Sequence, residues 1–357
     1  MQSANLLIGK FASAVQSISE TRSLVDKNAR RLKTILLFYK EWDQDKLVKY
    51  DRFLKPFVRP LYNTMHRRRK KTGHRVSFDL MVLALKQQDF EVRVNDYASA
   101  RNNPNYPVGL VGSPRLVEEW TLPNPAILGP ALYDHPMLAP KLMEDARFEK
   151  YLLASPWIYE MYRRYYGNKC AQWYAGIDTV QWADTSDSRK DIDFLVYDKI
   201  RWNHGALEVT LLKPIQHLLQ QRGFHIETIR YLRHDHNTYR KLLERSRAMI
   251  FLCEHETQGL AYQEAMASNV PILAWDNGFW RDPLWKRFNT TLIPASSVPY
   301  FSSDCGERFA DWTGFEPALD RFLDRMPRFH PRKYVCENLG LKRSAEVYAS
   351  HYFSVMK

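Results

Sequence analysis

Short, strongly apolar runs recur along this chain, and between most of them lie stretches whose apolar residues repeat at helical spacing. Residues 33–39 (KTILLFY), 90–95, 108–111, 126–128, 150–155 and 172–174 read as strands in the first half. Helical patterns fall at 74–85 and at 156–166, where Pro156 can open the helix and Gly167 can stop it. A polar linker, 185–190 (TSDSRK), leads to further strands at 194–197, 225–229, 248–253 and 271–275. Helices are expected between them at 207–221, from an Asn237 cap to Leu243, and at 259–268. Pro214 implies a kink or a late start in the first of these. Strands alternating with helices predict parallel sheets covered on both faces. At 357 residues the chain suits two such units, so two Rossmann-like α/β domains are expected, 1–178 and 179–340, with 341–357 as a C-terminal helix.

Composition narrows the function classes. With 45% hydrophobic and 26% charged residues the chain can bury a core, which excludes wholesale disorder. Its apolar runs fall far short of the ~20 residues of a membrane span. No signal-type apolar region follows the N-terminus, and Cys170, Cys253, Cys305 and Cys336 lack C-x-x-C spacing, so a reduced, cytoplasmic protein is expected. The formal net charge is +12, and it is concentrated. Residues 46–75 hold eleven Lys/Arg against one acid, Asp51, and include Arg67, Arg68, Arg69, Lys70 and Lys71 in one run. Such a block suits an anionic surface, a nucleic acid or a phosphorylated substrate. The apolar positions between Lys46 and Leu61 recur at helical spacing, a basic amphipathic pattern compatible with a membrane interface and equally with a solvated domain helix.

The stretch 251–276, FLCEHETQGLAYQEAMASNVPILAWD, carries the most chemistry. A strand ends in a tight loop, Gly259 allows close backbone approach, and a helix starts there whose free N–H groups can meet phosphate. Glu256 on the loop and Glu264 on the helix can reach different hydroxyls of one extended ligand, which suits a nucleotide-sugar. Glu256, Gly259, Leu260, the run Glu264-Ala265-Met266-Ala267 and Pro271 resemble the E-x7-E signature of family-four retaining glycosyltransferases of GT-B fold. The Gly176-Ile177-Asp178 join is similar to that family's interdomain segment.

The resemblance implies two Rossmann-like domains facing across a cleft, the second binding the donor and the C-terminal helix crossing back to the first. It implies that Glu256 contacts the transferred sugar, Glu264 the ribose, and the backbone at Gln258, Gly259 and Leu260 the phosphates. Lys199 matches the first of the family's two phosphate-neutralising cations; His204 stands where the second is usually Lys, with Arg201 as its substitute. His135 lies where a histidine near the donor sugar is expected, or is an ordinary loop residue. Sugar transfer to a glycan or lipid-linked acceptor follows, in polysaccharide or glycoconjugate synthesis, with retention, without a metal or other cofactor, and with peripheral attachment to an anionic membrane through the basic segment.

Plainer readings stand beside these. Glu264 on a solvated helix face and Lys199 and Arg201 flanking a strand end need no ligand. His234-Asp235-His236 reads as a helix lead-in rather than a metal site, and His255-Glu256-Thr257-Gln258 lacks the second histidine of a zincin. No P-loop, dinucleotide-binding or nucleophile-elbow motif occurs. The rivals are a non-enzymatic nucleic-acid-binding protein using the basic run, and a catalytically inactive sugar-nucleotide sensor.

Overall fold

The computed structural model describes residues 33–41, 72–130, 132–283, 287–288 and 292–356. The run Arg67 to Lys71 and most of the basic segment lie outside these residues.

Two parallel sheets organise the chain. The first has six strands: β1 Thr34–Lys40, β2 Glu91–Val94, β3 Val108–Gly112, β4 Ala126–Leu128, β5 Phe148–Leu153 and β6 Cys170–Gln172, in the order β2-β1-β3-β4-β5-β6. The second has five: β7 Ile192–Asp198, β8 Ile226–Arg230, β9 Ser246–Leu252, β10 Ile272–Trp275 and β11 Gly306–Phe309, in the order β11-β10-β9-β7-β8. Every pairing in both is parallel. The central strands are apolar on both faces because helices cover both sides. On β9, Met249 and Phe251 enter one core cluster while Ala248, Ile250 and Leu252 enter the other, the alternation that period-two geometry dictates.

The helices are α1 Gly73–Gln87, α2 Tyr97–Asn102, α3 Pro114–Glu118, α4 Pro156–Tyr166, α5 Lys213–Gln221, α6 His236–Arg245, α7 Leu260–Ala267, α8 Trp312–Arg325, α9 Pro331–Asn338 and α10 Leu341–Phe353. The Pro214 expectation resolves into neither a late start nor a break: a helical turn at His204–Leu207 runs through a π-helical turn, Glu208–Leu212, straight into α5, and the wider turn lies just ahead of the proline whose N–H is missing. Two expectations are corrected. Asp235, not Asn237, caps α6: its carboxylate accepts the Thr238 amide at 2.7 Å, one residue ahead of the first helical position. The strand expected at 172–174 is β6, shifted earlier, because the chain leaves the sheet after Gln172 to run between the domains.

That crossing is double. Ile177 pairs in parallel with Gly340, so outgoing and returning segments lie side by side. A side chain at Gly176 would meet the Leu341 Cα at 2.7 Å. Helix α10 then packs on the first sheet, adding Leu341, Ala345, Tyr348 and Tyr352 to its core. The Tyr352 hydroxyl accepts the Leu36 amide at 2.9 Å and donates to the Pro107 carbonyl. Among the described residues no helix is long and apolar enough to cross a membrane.

Candidate functional site

In an open parallel sheet, neighbouring strands whose connections run to opposite sides leave a crevice beyond their carboxyl ends. In the second sheet that point lies between β7 and β9. The loop after β7 carries Lys199 and Arg201, and the loop after β9 carries Glu254, His255 and Glu256.

Lys199 Nζ and Glu256 Oε1 form an ion pair with side-chain exposures of only 10% and 7%. Burial works against the lysine's charge, but Glu256 foremost holds its pKa above the ordinary value, so the ammonium persists at neutral pH. Its Nζ also stands 4.6 Å from the centre of the Tyr231 ring. Cys253, directly behind the pair, is pushed well above a normal thiol by burial and then by Glu256. It stays protonated, with its Sγ 3.5 Å from Glu256 Oε1.

Gly259 caps α7 at φ +86°, and a Cβ there would stand 2.2 Å from the Tyr262 ring. Only glycine brings the chain into the helix this closely. Leu260 follows as the first helical residue and packs between the two domains' cores. Glu264, one turn on, is buried rather than solvated. Burial raises its pKa to about 8, offset in part by Lys199, so at neutral pH its carboxyl is mostly protonated. Glu256, Lys199 and Glu264 thus share one buried neighbourhood at a strand edge.

Arg201 is braced rather than loose. Its Nη2 donates to the His255 carbonyl at 3.1 Å, and its guanidinium lies 4.2 Å from the Trp202 ring centre. His204 turns elsewhere: its Nε2 is 2.8 Å from Asp198 Oδ2, which Arg230 Nη1 also meets at 2.5 Å. The buried Asp198 carboxylate is therefore shared by two basic groups, and Lys199 and Arg201 are the cations the loop leaves beside Glu256.

The first domain reaches this site directly. Trp157, in the first turn of α4, donates its indole N–H to the Glu256 carbonyl at 2.9 Å. The Gln258 side chain exchanges two bonds with the Ala175 backbone, at 2.8 and 2.6 Å, so it ties the loop to the interdomain segment. His135 is fully buried, with its Nδ1 accepting the Met137 amide at 3.1 Å and its ring stacked on Trp280 from the second half. Burial lowers its pKa to about 4, so it is neutral at pH 7, with the proton on Nε2. Asp134, next to it, is exposed at the surface, and partial desolvation and then Asp282 raise its pKa.

Sequence reasoning singled out Glu256 and Glu264 but passed over Glu254, which lies in the same string, and Trp157, whose role depends on a partner 99 positions away. Neither has a spacing signature. Glu41, after β1, accepts the Thr72 hydroxyl at 3.0 Å.

No protein-family model and no curated protein sequence matches this chain. Solved structures similar to it include AviGT4, a glycosyltransferase involved in avilamycin A biosynthesis, at 13% identity, covering 90% of this chain and 98% of that one with a TM-score of 0.47. The lipopolysaccharide outer core galactosyltransferase WaaB, in its apo form, is similar at 9% identity over 90% and 99% of the two chains, TM-score 0.48. Sucrose-phosphate synthase from Thermosynechococcus elongatus is similar at 10% identity over 90% and 99%, TM-score 0.47. Two parallel-sheet Rossmann-like domains, joined by a double crossing and meeting at the loops after β7 and β9, make a GT-B fold.

Proposed function

We propose that this protein is a glycosyltransferase that moves a sugar from a nucleotide-sugar to a glycan or lipid-linked acceptor in the cleft between its domains. One observation carries the reading: a buried Lys199–Glu256 ion pair and a buried Glu264 carboxyl sit together at the strand crossover of the second sheet. Buried ionic groups are costly unless they work on a ligand or on each other, and these face the place where parallel sheets bind ligands.

In this reading Glu256 contacts the transferred sugar and Glu264 the ribose. The amides of Gln258, Gly259 and Leu260, at the start of α7, take the phosphates. The bond from the anomeric carbon to the phosphate oxygen breaks as the acceptor oxygen bonds that carbon on the same face, and the departing phosphate oxygen takes the acceptor's proton. Lys199 and Arg201 stabilise the charge that develops on that phosphate, which is the dominant contribution in such chemistry, and no metal is needed for it. His135, held neutral by burial, is the histidine this reading places near the donor sugar. The basic segment holds the enzyme to an anionic membrane where the acceptor's carrier is anchored.

A thermal-shift panel of uridine, adenosine, guanosine and thymidine diphosphate sugars tests the reading. At least one should stabilise the protein and be slowly hydrolysed, with hydrolysis lost in Glu256→Ala. No stabilisation by any member would refute the donor site. Changing residues 67–71 to Gln should weaken binding to phosphatidylserine vesicles, and unchanged binding would remove the membrane role.

A further inference from the structure

We infer that Glu254 is a positioning residue of this site, acting through Arg201; the inference rests on the glycosyl-transfer reading. Glu254 is 2% exposed, and among the described residues it forms no ion pair. Its carboxylate instead takes main-chain amides: Arg201 N at 3.0 and 3.1 Å from the two oxygens, and Trp202 N at 3.0 Å. Its own carbonyl accepts Asn277 Nδ2 at 3.0 Å, which fixes the loop after β9 from behind.

Two successive amides followed by a residue in the left-handed region, here Asn203 at φ +52°, form a concavity that binds anions. At a strand crossover that concavity would be open to a phosphate. Here an internal carboxylate fills it, with two consequences. The amides of Arg201 and Trp202 are taken and cannot add to those at the start of α7, so the loop after β7 meets the leaving phosphate with side chains, Lys199 and Arg201. And the backbone that carries Arg201 is fastened to the loop that carries Glu256, two residues from Glu254.

Lys199 is held independently. Its amide donates to the Leu252 carbonyl at 2.8 Å, continuing the β7–β9 ladder. Arg201 has no such rung, and its guanidinium reaches the His255 carbonyl only while its backbone stays in place. Glu254 therefore serves one cation of the pair and not the other, which separates positioning from a general structural role.

The experiment is a pair of double-mutant cycles on hydrolysis of the best-binding nucleotide-sugar of the panel, with a structure of the variant. Glu254→Ala should lower kcat about 10–100-fold, the scale of a small misplacement of a charge-stabilising group, with little change in KM. Glu254→Gln, whose Oε1 can still accept from both amides, should recover most of that loss and serves if the alanine variant fails to fold. Arg201→Ala added to Glu254→Ala should cost almost nothing further, whereas Lys199→Met should multiply the loss. Additive effects with Arg201, or equal coupling to Lys199, would overturn the proposal. A crystal structure of Glu254→Gln or Glu254→Ala decides it even if no nucleotide-sugar is turned over, an outcome that would defeat the glycosyl-transfer reading itself. Residues 200–202 must shift in the alanine variant and stay in the glutamine one; an unmoved loop in Glu254→Ala refutes the positioning role.

Discussion

Glu264 offers a measurement that needs no substrate. Burial holds its carboxyl protonated up to about pH 8 in the folded protein, against an ordinary value of 4.5. Between those values the native state binds one proton that the unfolded chain has released, so stability must fall as pH rises. The contribution is complete below the unfolded pKa and disappears as pH climbs through the folded one. From pH 6 to pH 8 the loss comes to about 2 kcal/mol, at about 1.4 kcal/mol for each unit of pH. For a domain of this size that is roughly a 4–8 °C fall in Tm. Glu264→Gln replaces the protonated carboxyl by a neutral group of equal shape and abolishes the slope. Thermal unfolding of both proteins by circular dichroism at pH 6, 7 and 8 isolates the effect, because every other titrating group is common to both. The variant should gain on the wild type steadily with pH. Parallel curves would show that Glu264 is ionised in the fold, and with that the inference that its carboxyl is withdrawn from water, awaiting a ligand hydroxyl, would fall.

Three further outcomes are expected. His255 is driven down to about 2 by burial, then by Arg201 and Lys199, so the unfolded chain takes a proton there below pH 6.5 that the fold refuses; stability falls as the solution is acidified, and His255→Phe should flatten the slope between pH 6.5 and 4 in urea titrations, an unchanged slope refuting it. Glu256→Gln strands the buried Lys199 ammonium and should cost about 3–5 kcal/mol, most of it recovered by adding Lys199→Met; strictly additive losses would mean the pair is not coupled. Tyr352→Phe leaves the buried Leu36 amide without its acceptor and should cost about 1–3 kcal/mol by urea denaturation, while no loss would place the end of α10 away from the first sheet.

What the sequence disclosed and what it withheld divide along a physical line. Strands such as β1 and β9 are legible because a run of apolar residues has few ways to avoid burial, and α4 because Pro156 and Gly167 mark its ends in chemistry that acts locally. Helix α8 is not legible in the same way: Pro317 sits inside it, so local punctuation argues against what tertiary packing of Phe315, Leu319 and Phe322 enforces. The site divides in the same way. Glu256 and Glu264 are held by Gly259 and one helix, so eight positions of spacing carry their relation. The partners that give them electrostatic character are remote in sequence: Lys199 reaches Glu256 across the β7–β9 pairing, and Trp157 and Ala175 reach the same loop from the other domain. Spacing can nominate a carboxylate, but only the parallel register of β7 on β9, Asp198 opposite Leu252, decides that the next residue along β7 ends beside it. His204 makes the point from the other side, since its position along the loop suggests a phosphate ligand while Asp198, fixed by the same register, draws its ring away.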